Sequence, residues 1–536
     1  MTRRSFENVK VLLERCESGR IGLTANELTW VTGSEGSNPS LSARGSGPMG
    51  QAVPGENGPL RRVCRAVALA VPAWYEGVNE SVGRYWLQTL GCPKNQVDSD
   101  KLEGYLASRG YEPADAVDAA DLVVVNTCAF IEAARQESID IVLELADQRA
   151  GDARLVVTGC MAERYGDELR DALSEVDLVA GFGRDLVPAP AAVPVSLGRT
   201  QLPHDTSSTD GFDLLELPRP AARAPWAYVK VAEGCDRICG FCAIPSFRGK
   251  QRSRPHGDVL AEVEALLAPT SRSPEAPPLQ EVVLVAQDLA SYGRDRSVRG
   301  RRIEAGRDGS PIAALTRAVA DKVAWTRLLY LYPSGLTDEL VDAVLGTGVP
   351  YFDLSLQHVS RPHLARMRRW GDGDRFLRRI SDIRSAEAAA TFRSSFILGY
   401  PGETERDHDL LLQFLTDAQL NWAGFFTFSK EAGTHAASLP AQVPEELALQ
   451  RLRECTELQD AITATKRDTL IGTTQRVLVD SPGRGRTVRE APEIDGVVHV
   501  PPDVAPGTFL DVEITGAEGP DLHGARSPAL TAGAAR

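Results

Sequence analysis

The stretch Cys235-Asp-Arg-Ile-Cys239-Gly-Phe-Cys242 places three thiols in one loop, directly after a predicted strand at Tyr228–Val231. In α/β barrels, the loops at the carboxyl ends of the strands carry the chemistry. Three thiolates at this spacing can bind a cubane iron–sulfur cluster, but they leave one of its irons without a protein ligand. The stretch therefore predicts a barrel with a cluster at its mouth, whose open iron can take a ligand from outside.

Two other kinds of protein could use these cysteines. A structural zinc site normally takes four protein ligands, and His256 is the nearest candidate for the fourth. A bacterial ferredoxin loop has a shorter cysteine spacing and a fourth cysteine before a proline, which this loop lacks. A zinc-binding scaffold and an iron–sulfur electron carrier are therefore the alternatives from a different functional class.

The sequence around this loop repeats the pattern of a strand followed by a helix. Helical segments such as Asp258–Leu267 and Asp407–Leu415 separate the strands, and a helix around Glu445–Lys466 closes the block. Six such repeats predict a partial (βα)6 barrel or a full barrel. The predicted strands are Tyr228–Val231, Glu281–Val285, Arg327–Leu331, Phe352–Leu356, Ser395–Leu398 and Gly424–Phe428.

Three more cysteines are widely spaced, and each of them follows a predicted strand. Cys92 follows Tyr85–Leu90, Cys128 follows Leu122–Val125, and Cys160 follows Leu155–Val157. Strands of an open parallel sheet point their carboxyl ends at one crevice, so cysteines remote in sequence can meet there. The helices that follow favour thiolate at their N-termini. Buried cysteines most often act as small hydrophobic residues, but three coincidences with strand ends favour a second iron–sulfur cluster.

The order of these features predicts an α/β multidomain protein. After the barrel, three short predicted strands at 475–480, 496–499 and 508–515 are typical of a small antiparallel β-barrel. The segment before residue 80 is rich in Gly, Ser, Asn and Pro, which indicates disorder or an over-long gene start. The predicted units are a disordered or spurious extension (1–80), an open parallel α/β sheet (84–187), a linker (188–224), the α/β barrel (225–466), the β-barrel (467–525) and a tail (526–536).

Composition excludes several other classes of protein. A chain of 536 residues is too long for one hydrophobic core. Its net charge of −14 argues against a surface that binds nucleic acid throughout. No apolar run of about 18 residues is present, so no segment is predicted to span a membrane, and we expect a cytoplasmic protein. Nine cysteines in so long a chain do not form a small secreted disulfide framework.

The cysteine loop resembles that of the radical S-adenosylmethionine superfamily. The segments Gly91-Cys-Pro-Lys-Asn-Gln-Val-Asp-Ser99, Asn126-Thr-Cys-Ala-Phe-Ile131 and Thr158-Gly-Cys-Met161 resemble the N-terminal domain of the methylthiotransferases. The terminal barrel resembles a TRAM domain. Together these likenesses cover nearly all of the chain from residue 84 to about residue 525.

The resemblance implies two [4Fe–4S] clusters, one held by each group of three cysteines, and S-adenosylmethionine as cosubstrate. One S-adenosylmethionine would methylate a sulfur on the N-terminal cluster, and a second would yield the radical that abstracts hydrogen from the target carbon. An electron donor such as flavodoxin or ferredoxin is implied as well. The residues expected to contact the cofactors are Phe241, which would shield the cluster or simply fill the core, Gln287, Ser355, Gln357, Gly399 and Glu403. An ordinary strand-to-helix turn is the other interpretation of the segment from Gly399 to Glu403.

Members of this family modify either an adenosine in transfer RNA or an aspartate of ribosomal protein uS12. Residues 470–524 contain four arginines, no lysine and nine acidic residues, a net charge of −5. An acidic module suits a basic ribosomal protein better than an RNA backbone. The sequences from Cys92 to Ser99 and from Glu490 to Gly496 also resemble the uS12-directed branch, so uS12 or the small ribosomal subunit is the predicted partner. The basic run Arg248-Gly-Lys-Gln-Arg-Ser-Arg254 could instead bind phosphates, which keeps transfer RNA as the alternative, or it could bind a carboxylate.

Overall fold

A computed structural model describes residues 82–187, 211–268, 276–295 and 309–526 of the chain. The predicted extension at 1–80, the first part of the predicted linker (188–210) and the tail from residue 527 lie outside the described residues. The domain boundaries given above therefore stay predictions.

A parallel five-stranded sheet forms the first layer of the structure, in the order β2-β1-β3-β4-β5. Its central strand has the sequence Leu-Val-Val-Val-Asn-Thr and is buried along its whole length, as expected for a strand covered on both faces. The strands are β1 (Gly83–Thr89), β2 (Tyr111–Pro113), β3 (Leu122–Thr127), β4 (Arg154–Gly159) and β5 (Leu178–Val179). The sheet follows the prediction, except that sequence reasoning missed the short edge strands β2 and β5.

Helices α1 (Pro93–Ser108), α2 (Glu132–Gln148) and α3 (Cys160–Ala172) connect the strands of this sheet. Pro93 begins α1, where its missing N–H costs nothing and its fixed φ suits a helix. Cys92 is the residue that caps this helix, and Cys160 is the first residue of α3. The chain therefore turns from strand to helix at or next to both of these cysteines.

Six parallel strands form a partial barrel, as predicted. They make two three-stranded sheets, β6-β9-β10 and β11-β12-β13, which a bridge between Leu331 and Leu354 connects. Their apolar side chains and those of the surrounding helices form one large core cluster. The strands are β6 (Trp226–Lys230), β9 (Glu281–Val285), β10 (Trp325–Leu328), β11 (Tyr351–Gln357), β12 (Thr391–Leu398) and β13 (Trp422–Thr427). A small hairpin-like pair, β7 (Ala232–Glu233) and β8 (Arg252–Ser253), lies between the first two.

Helices follow the barrel strands and cover their outer face. The best-defined start is that of α10, where Thr404 and Asp407 exchange hydrogen bonds in a capping box. The helices are α4 (Ile244–Arg248), α5 (His256–Leu267), α6 (Pro311–Ala320), α7 (Asp338–Leu345), α8 (Arg361–Arg366), α9 (Gly373–Ala386), α10 (Glu405–Ala418) and α11 (Glu445–Asp468).

A closed five-stranded barrel follows α11. It is antiparallel apart from one short parallel pairing between β16 and β18. The strands are β14 (Thr474–Ser481), β15 (Arg484–Arg486), β16 (Val498–His499), β17 (Phe509–Glu518) and β18 (Asp521–Arg526).

A buried ion-pair group joins the terminal barrel to the α/β barrel. Glu281 on β9 binds Arg327 of the neighbouring strand and Arg486 of the terminal barrel, each at 2.7 Å. All three side chains are almost completely buried. Removing one member of such a group would leave an uncompensated buried charge.

Within the described residues, every helix is too short or too polar to be a candidate membrane span.

Candidate active site between two cysteine trios

The structure brings Cys92, Cys128 and Cys160 together at the carboxyl ends of β1, β3 and β4, as the sequence predicted. Burial raises the pKa of the Cys128 thiol, and the nearby Cys160 and Cys92 raise it further, to about 12. Gly91 lets the backbone beside Cys92 lie close to Cys128. It has a φ of +94°, and a Cβ on it would lie 3.0 Å from the Cys128 sulfur. We refer to these three cysteines as the N-terminal trio.

The three thiols of the N-terminal trio differ in their tendency to ionise. Burial raises the pKa of Cys160, although Arg248 opposes that effect. Burial also raises the pKa of Cys92, but Lys94, Arg248 and nearby backbone N–H groups outweigh it, so that its pKa lies below the ordinary value. Because thiolate is the form that binds metal, positive charge beside the trio favours metal binding.

Cys235, Cys239 and Cys242, the barrel trio, share one loop at the end of the first barrel strand. The pair β7 and β8 closes the base of this loop, and the Cys235 N–H donates to the Gly249 carbonyl at 3.1 Å. Burial raises the pKa of Cys235 to about 11 and that of Cys242 to about 12, although a backbone N–H donor to each sulfur opposes this rise. All three cysteines keep partial exposure, so the loop opens to a ligand from outside.

Hydrogen-bond donors already point at the sulfurs of the barrel trio. The backbone N–H of Arg237 donates to the Cys235 sulfur at 3.4 Å, and the Arg369 side chain donates through Nη1 to the Cys239 sulfur at 3.4 Å. The guanidinium groups of both arginines lie against the Tyr332 ring, 3.9 Å and 4.2 Å from its centroid. Donors of this kind stabilise thiolate sulfur and the negative charge of an iron–sulfur cluster.

The two trios share one kind of donor set. Within the part of the chain that the structure describes, no group of three His, Cys, Asp or Glu side chains is arranged to hold a single metal ion. Each trio offers sulfur ligands only, with N–H donors around them. This donor set suits iron–sulfur chemistry with an open iron.

One arginine links the N-terminal trio to the chain segment just before the barrel trio, and sequence reasoning missed its role. Arg248 is buried and donates to the Cys160 sulfur through Nη2 at 3.0 Å. On its other side it binds Asp98 and Glu233. Glu233 stands two residues before Cys235 in the sequence. A run of basic residues is usually a solvated face, and only the tertiary structure reveals this arginine as an internal link.

The other arginines of that basic run are also paired with acids of this chain. Arg252 forms a bidentate ion pair with Asp213, and Arg254 binds Glu262 at 2.7 Å. The run was predicted to bind phosphates or a carboxylate. Its three arginines bind carboxylates within the protein instead.

The predicted cofactor residues at the barrel mouth lie at strand ends, as expected. Gln287 donates to Glu233 at 2.6 Å, and the Ser355 carbonyl accepts a hydrogen bond from Arg369. Gln357 adopts a φ of +70°, a strained conformation for a residue with a side chain. Phe241 is half-buried against the barrel core. Their contacts with S-adenosylmethionine stay predictions.

Gly399 and Glu403 form a tight turn after β12. Gly399 has a φ of +74°, and a Cβ on it would lie 2.6 Å from the Ala448 Cβ of α11. The buried Glu403 carboxylate accepts a hydrogen bond from the Gly399 N–H and lies 3.4 Å from Arg451. Burial raises the pKa of Glu403, but His358, the Gly399 N–H and Arg451 lower it below the ordinary value. Glu403 thus holds the turn in place, and its predicted contact with the cofactor stays a prediction.

Three family models match the chain in consecutive segments. Residues 84–181 match uncharacterized protein family UPF0004, residues 229–415 match the Radical SAM superfamily, and residues 471–526 match the TRAM domain. The superfamily match includes the whole barrel trio. It implies an enzyme that uses S-adenosylmethionine and an iron–sulfur cluster, rather than a zinc-binding scaffold or an electron carrier.

Curated relatives resemble the chain over most of its length. The ribosomal protein uS12 methylthiotransferase RimO of Moorella thermoacetica is 42% identical over 436 residues, which is 80% of this chain and 95% of that protein. The protein of the same name from Geobacter sulfurreducens is 38% identical over 451 residues, covering 81% and 97%. A solved structure of the cobalamin-dependent S-adenosylmethionine radical enzyme OxsB is only distantly similar, with a TM-score of 0.39, 10% identity and coverage of 71% of this chain and 56% of that one.

The sequence relatives span the N-terminal sheet, the radical barrel and the terminal barrel alike. The chain therefore belongs to the RimO-type family of radical S-adenosylmethionine methylthiotransferases.

Proposed function

We propose that the chain attaches a methylthio group to the β-carbon of an aspartate of ribosomal protein uS12, with two [4Fe–4S] clusters and two molecules of S-adenosylmethionine. One observation supports this most directly. Two cysteine trios lie beyond the carboxyl ends of parallel strands, and Arg248 pairs the Cys160 sulfur of one trio with Glu233, which stands two residues before the other trio. The uS12 target rests on the names of the relatives, and we expect the reaction to take place in the cytoplasm.

In this proposal the N-terminal trio holds one cluster and the barrel trio holds the other. When bound, the barrel cluster supplies the electron that cleaves S-adenosylmethionine, and the N-terminal cluster carries the sulfur that is transferred. Arg237 and Arg369 donate to sulfurs of the barrel trio and so stabilise their charge. Gln287, Ser355, Gln357 and Gly399 orient S-adenosylmethionine at the strand ends, with Phe241 beside the cluster and Glu403 fixing the turn. A small electron carrier such as flavodoxin or ferredoxin provides the electron.

Charge favours a basic protein over RNA as the substrate. The terminal barrel region (470–524) has a net charge of −5. The basic run that kept transfer RNA as an alternative has its arginines in ion pairs with Asp98, Glu233, Asp213 and Glu262. Because its three arginines are already paired with carboxylates of this chain, the run offers a weaker phosphate site than its sequence suggests.

Iron content tests the two-cluster part of the proposal. Anaerobic reconstitution should load about eight irons per chain, and replacing either trio by alanine should leave about four. Cys455→Ala is the matched control, because Cys455 is also buried but lies on α11 outside both trios. It should keep the full iron content. A wild-type protein that loads only about four irons would rule out the second cluster.

Product analysis tests the substrate. The reconstituted enzyme is incubated with S-adenosylmethionine and reductant, together with either purified uS12, small ribosomal subunits or transfer RNA, and each product is analysed by mass spectrometry. We expect the methylthio mass on an aspartate of uS12. The same mass on an adenosine of transfer RNA, with uS12 unmodified, would establish the alternative instead.

A further inference from the structure

Arg248 makes an unusually complete set of contacts at the N-terminal trio. Its Nη2 and Nε donate to the Cys160 sulfur at 3.0 Å and 3.3 Å, and its Nη2 also donates to Asn95 Oδ1 at 2.7 Å. Its guanidinium lies 4.6 Å from the Phe182 ring centroid. The arginine comes from the end of α4 in the barrel, whereas Cys160, Asn95 and Phe182 belong to the N-terminal sheet region.

Two carboxylates hold Arg248 in this position. Glu233 accepts from its Nη1 at 2.9 Å and 3.0 Å, and Asp98 accepts from Nη1 at 3.1 Å and from Nη2 at 3.2 Å. Lys230 binds both carboxylates as well. Because Arg248 and Asp98 are buried and Lys230 is fully buried, these contacts are poorly screened by solvent. The guanidinium therefore has little freedom to turn away from the sulfur.

A donor fixed in this way acts on the electron affinity of a cluster. Hydrogen bonds to the ligating sulfurs are among the factors that set the reduction potential of iron–sulfur clusters. Reduction adds negative charge, so a nearby guanidinium stabilises the reduced form and raises the potential. Among the described residues, the cysteine sulfur that accepts hydrogen bonds from Arg248 is that of Cys160, and the barrel trio receives none from it.

We propose that Arg248 is a positioning residue that raises the reduction potential of the cluster on the N-terminal trio while leaving the potential of the barrel cluster unchanged. This inference rests on the proposed function, because it requires a cluster at Cys92, Cys128 and Cys160. It assigns to one residue of the barrel a role in tuning the cluster of the neighbouring domain.

The test compares Arg248→Gln with Arg252→Gln in two full-length backgrounds. In the first, alanine replaces the barrel trio, so only the N-terminal cluster is present, and in the second the N-terminal trio is replaced. The midpoint potential of each reconstituted cluster is measured by redox titration followed by electron paramagnetic resonance. Arg252 is the matched control because it belongs to the same basic run but is exposed and paired with Asp213.

We expect Arg248→Gln to shift the reduction equilibrium of the N-terminal cluster about tenfold toward the oxidised form, which is a fall of about 59 mV for one electron. Arg252→Gln should leave that potential unchanged, and neither substitution should move the barrel cluster. If Arg248→Gln does not fold, Arg248→Lys replaces it, since lysine keeps the charge but cannot reach Cys160, Asn95 and Asp98 at once. Its potential should then still lie below that of the wild type.

Three results would overturn the inference. One is a wild-type potential in the folded Arg248→Gln protein, or in Arg248→Lys if the glutamine variant does not fold. Another is an equal shift of the barrel cluster. If the first background binds no iron at all, both the inference and the second cluster of the proposed function fail, whereas iron binding without a shift refutes only the inference.

Discussion

Gly91→Ala tests how closely the backbone must approach the N-terminal trio. The substitution meets two obstacles. The φ of +94° costs an alanine about 1–3 kcal/mol. In addition, the new Cβ would lie 2.9 Å from the Cys128 Cβ, whereas ordinary contacts begin at 3.4 Å. Rotating the Cys128 side chain moves its sulfur but not its Cβ, so the backbone at residue 91 or 128 must shift by about half an ångström. A preorganised site tolerates displacements of its ligands of only about 0.5 Å.

Gly472→Ala separates the two obstacles. Gly472 has a similar φ of +80°, but a Cβ on it would meet no atom within 4 Å. Gly472→Ala should lose about 1–3 kcal/mol of unfolding free energy in chemical denaturation from its φ alone, and Gly91→Ala should lose more because its Cβ also meets Cys128. Only Gly91→Ala should also lose iron, falling from about eight to about four irons per chain after reconstitution. Full iron loading by Gly91→Ala, with the same loss of stability as Gly472→Ala, would show that the geometry around Cys128 does not control assembly of the site.

Further predictions concern stability and the turn at the barrel mouth. Glu281→Gln should destabilise the protein by about 3–5 kcal/mol near neutral pH, because it leaves Arg327 and Arg486 buried without their shared partner, and denaturant titration measures this loss. Burial raises the pKa of Glu281, but the two arginines lower it below its ordinary value. The stability that Glu281 contributes is therefore complete above its unfolded-state pKa and is lost as pH falls through its folded-state pKa. The stabilities of the wild type and of Glu281→Gln should converge in acid. A difference that stays constant with pH would contradict the ion-pair account. Gly399→Ala should weaken binding of S-adenosylmethionine in calorimetry, because it displaces α11 from the turn, whereas Gly433→Ala, with a φ of +80° and open space around it, should bind normally.

Sequence patterns predicted the central strands well because those strands carry strong signals. The run Leu122–Val125 is apolar and largely β-branched, and its short length between Asp121 and Asn126 favours a buried strand over a helix. The edge strands Tyr111–Pro113 and Leu178–Val179 are too short to show any period. The strand Arg484–Arg486 is short and polar and shows no apolar period, although it pairs with the preceding strand β14 across a tight turn at residues 482–483.

Sequence reasoning found the cysteines of the site but not the side chains that organise them. Cysteine spacing and position after strands are local features, and they correctly placed the N-terminal trio at one crevice. Three partners of Arg248, namely Cys160, Asp98 and Asn95, lie 88 to 153 residues away, so its role depends on how the sheet and the barrel pack. The same holds for Arg369, whose contact with Cys239 spans 130 residues.

Helix α1 presents a polar but buried face to the barrel. Asp98 binds Lys230 of β6 and Arg248, and Lys101 binds Glu262 of α5 at 3.1 Å. If the N-terminal sheet separated from the barrel, these charges would lose their partners and each side would carry unpaired ionic groups on a surface shaped for contact. The two halves are consequently expected to melt in a single calorimetric transition, and neither half would make a good stand-alone fragment.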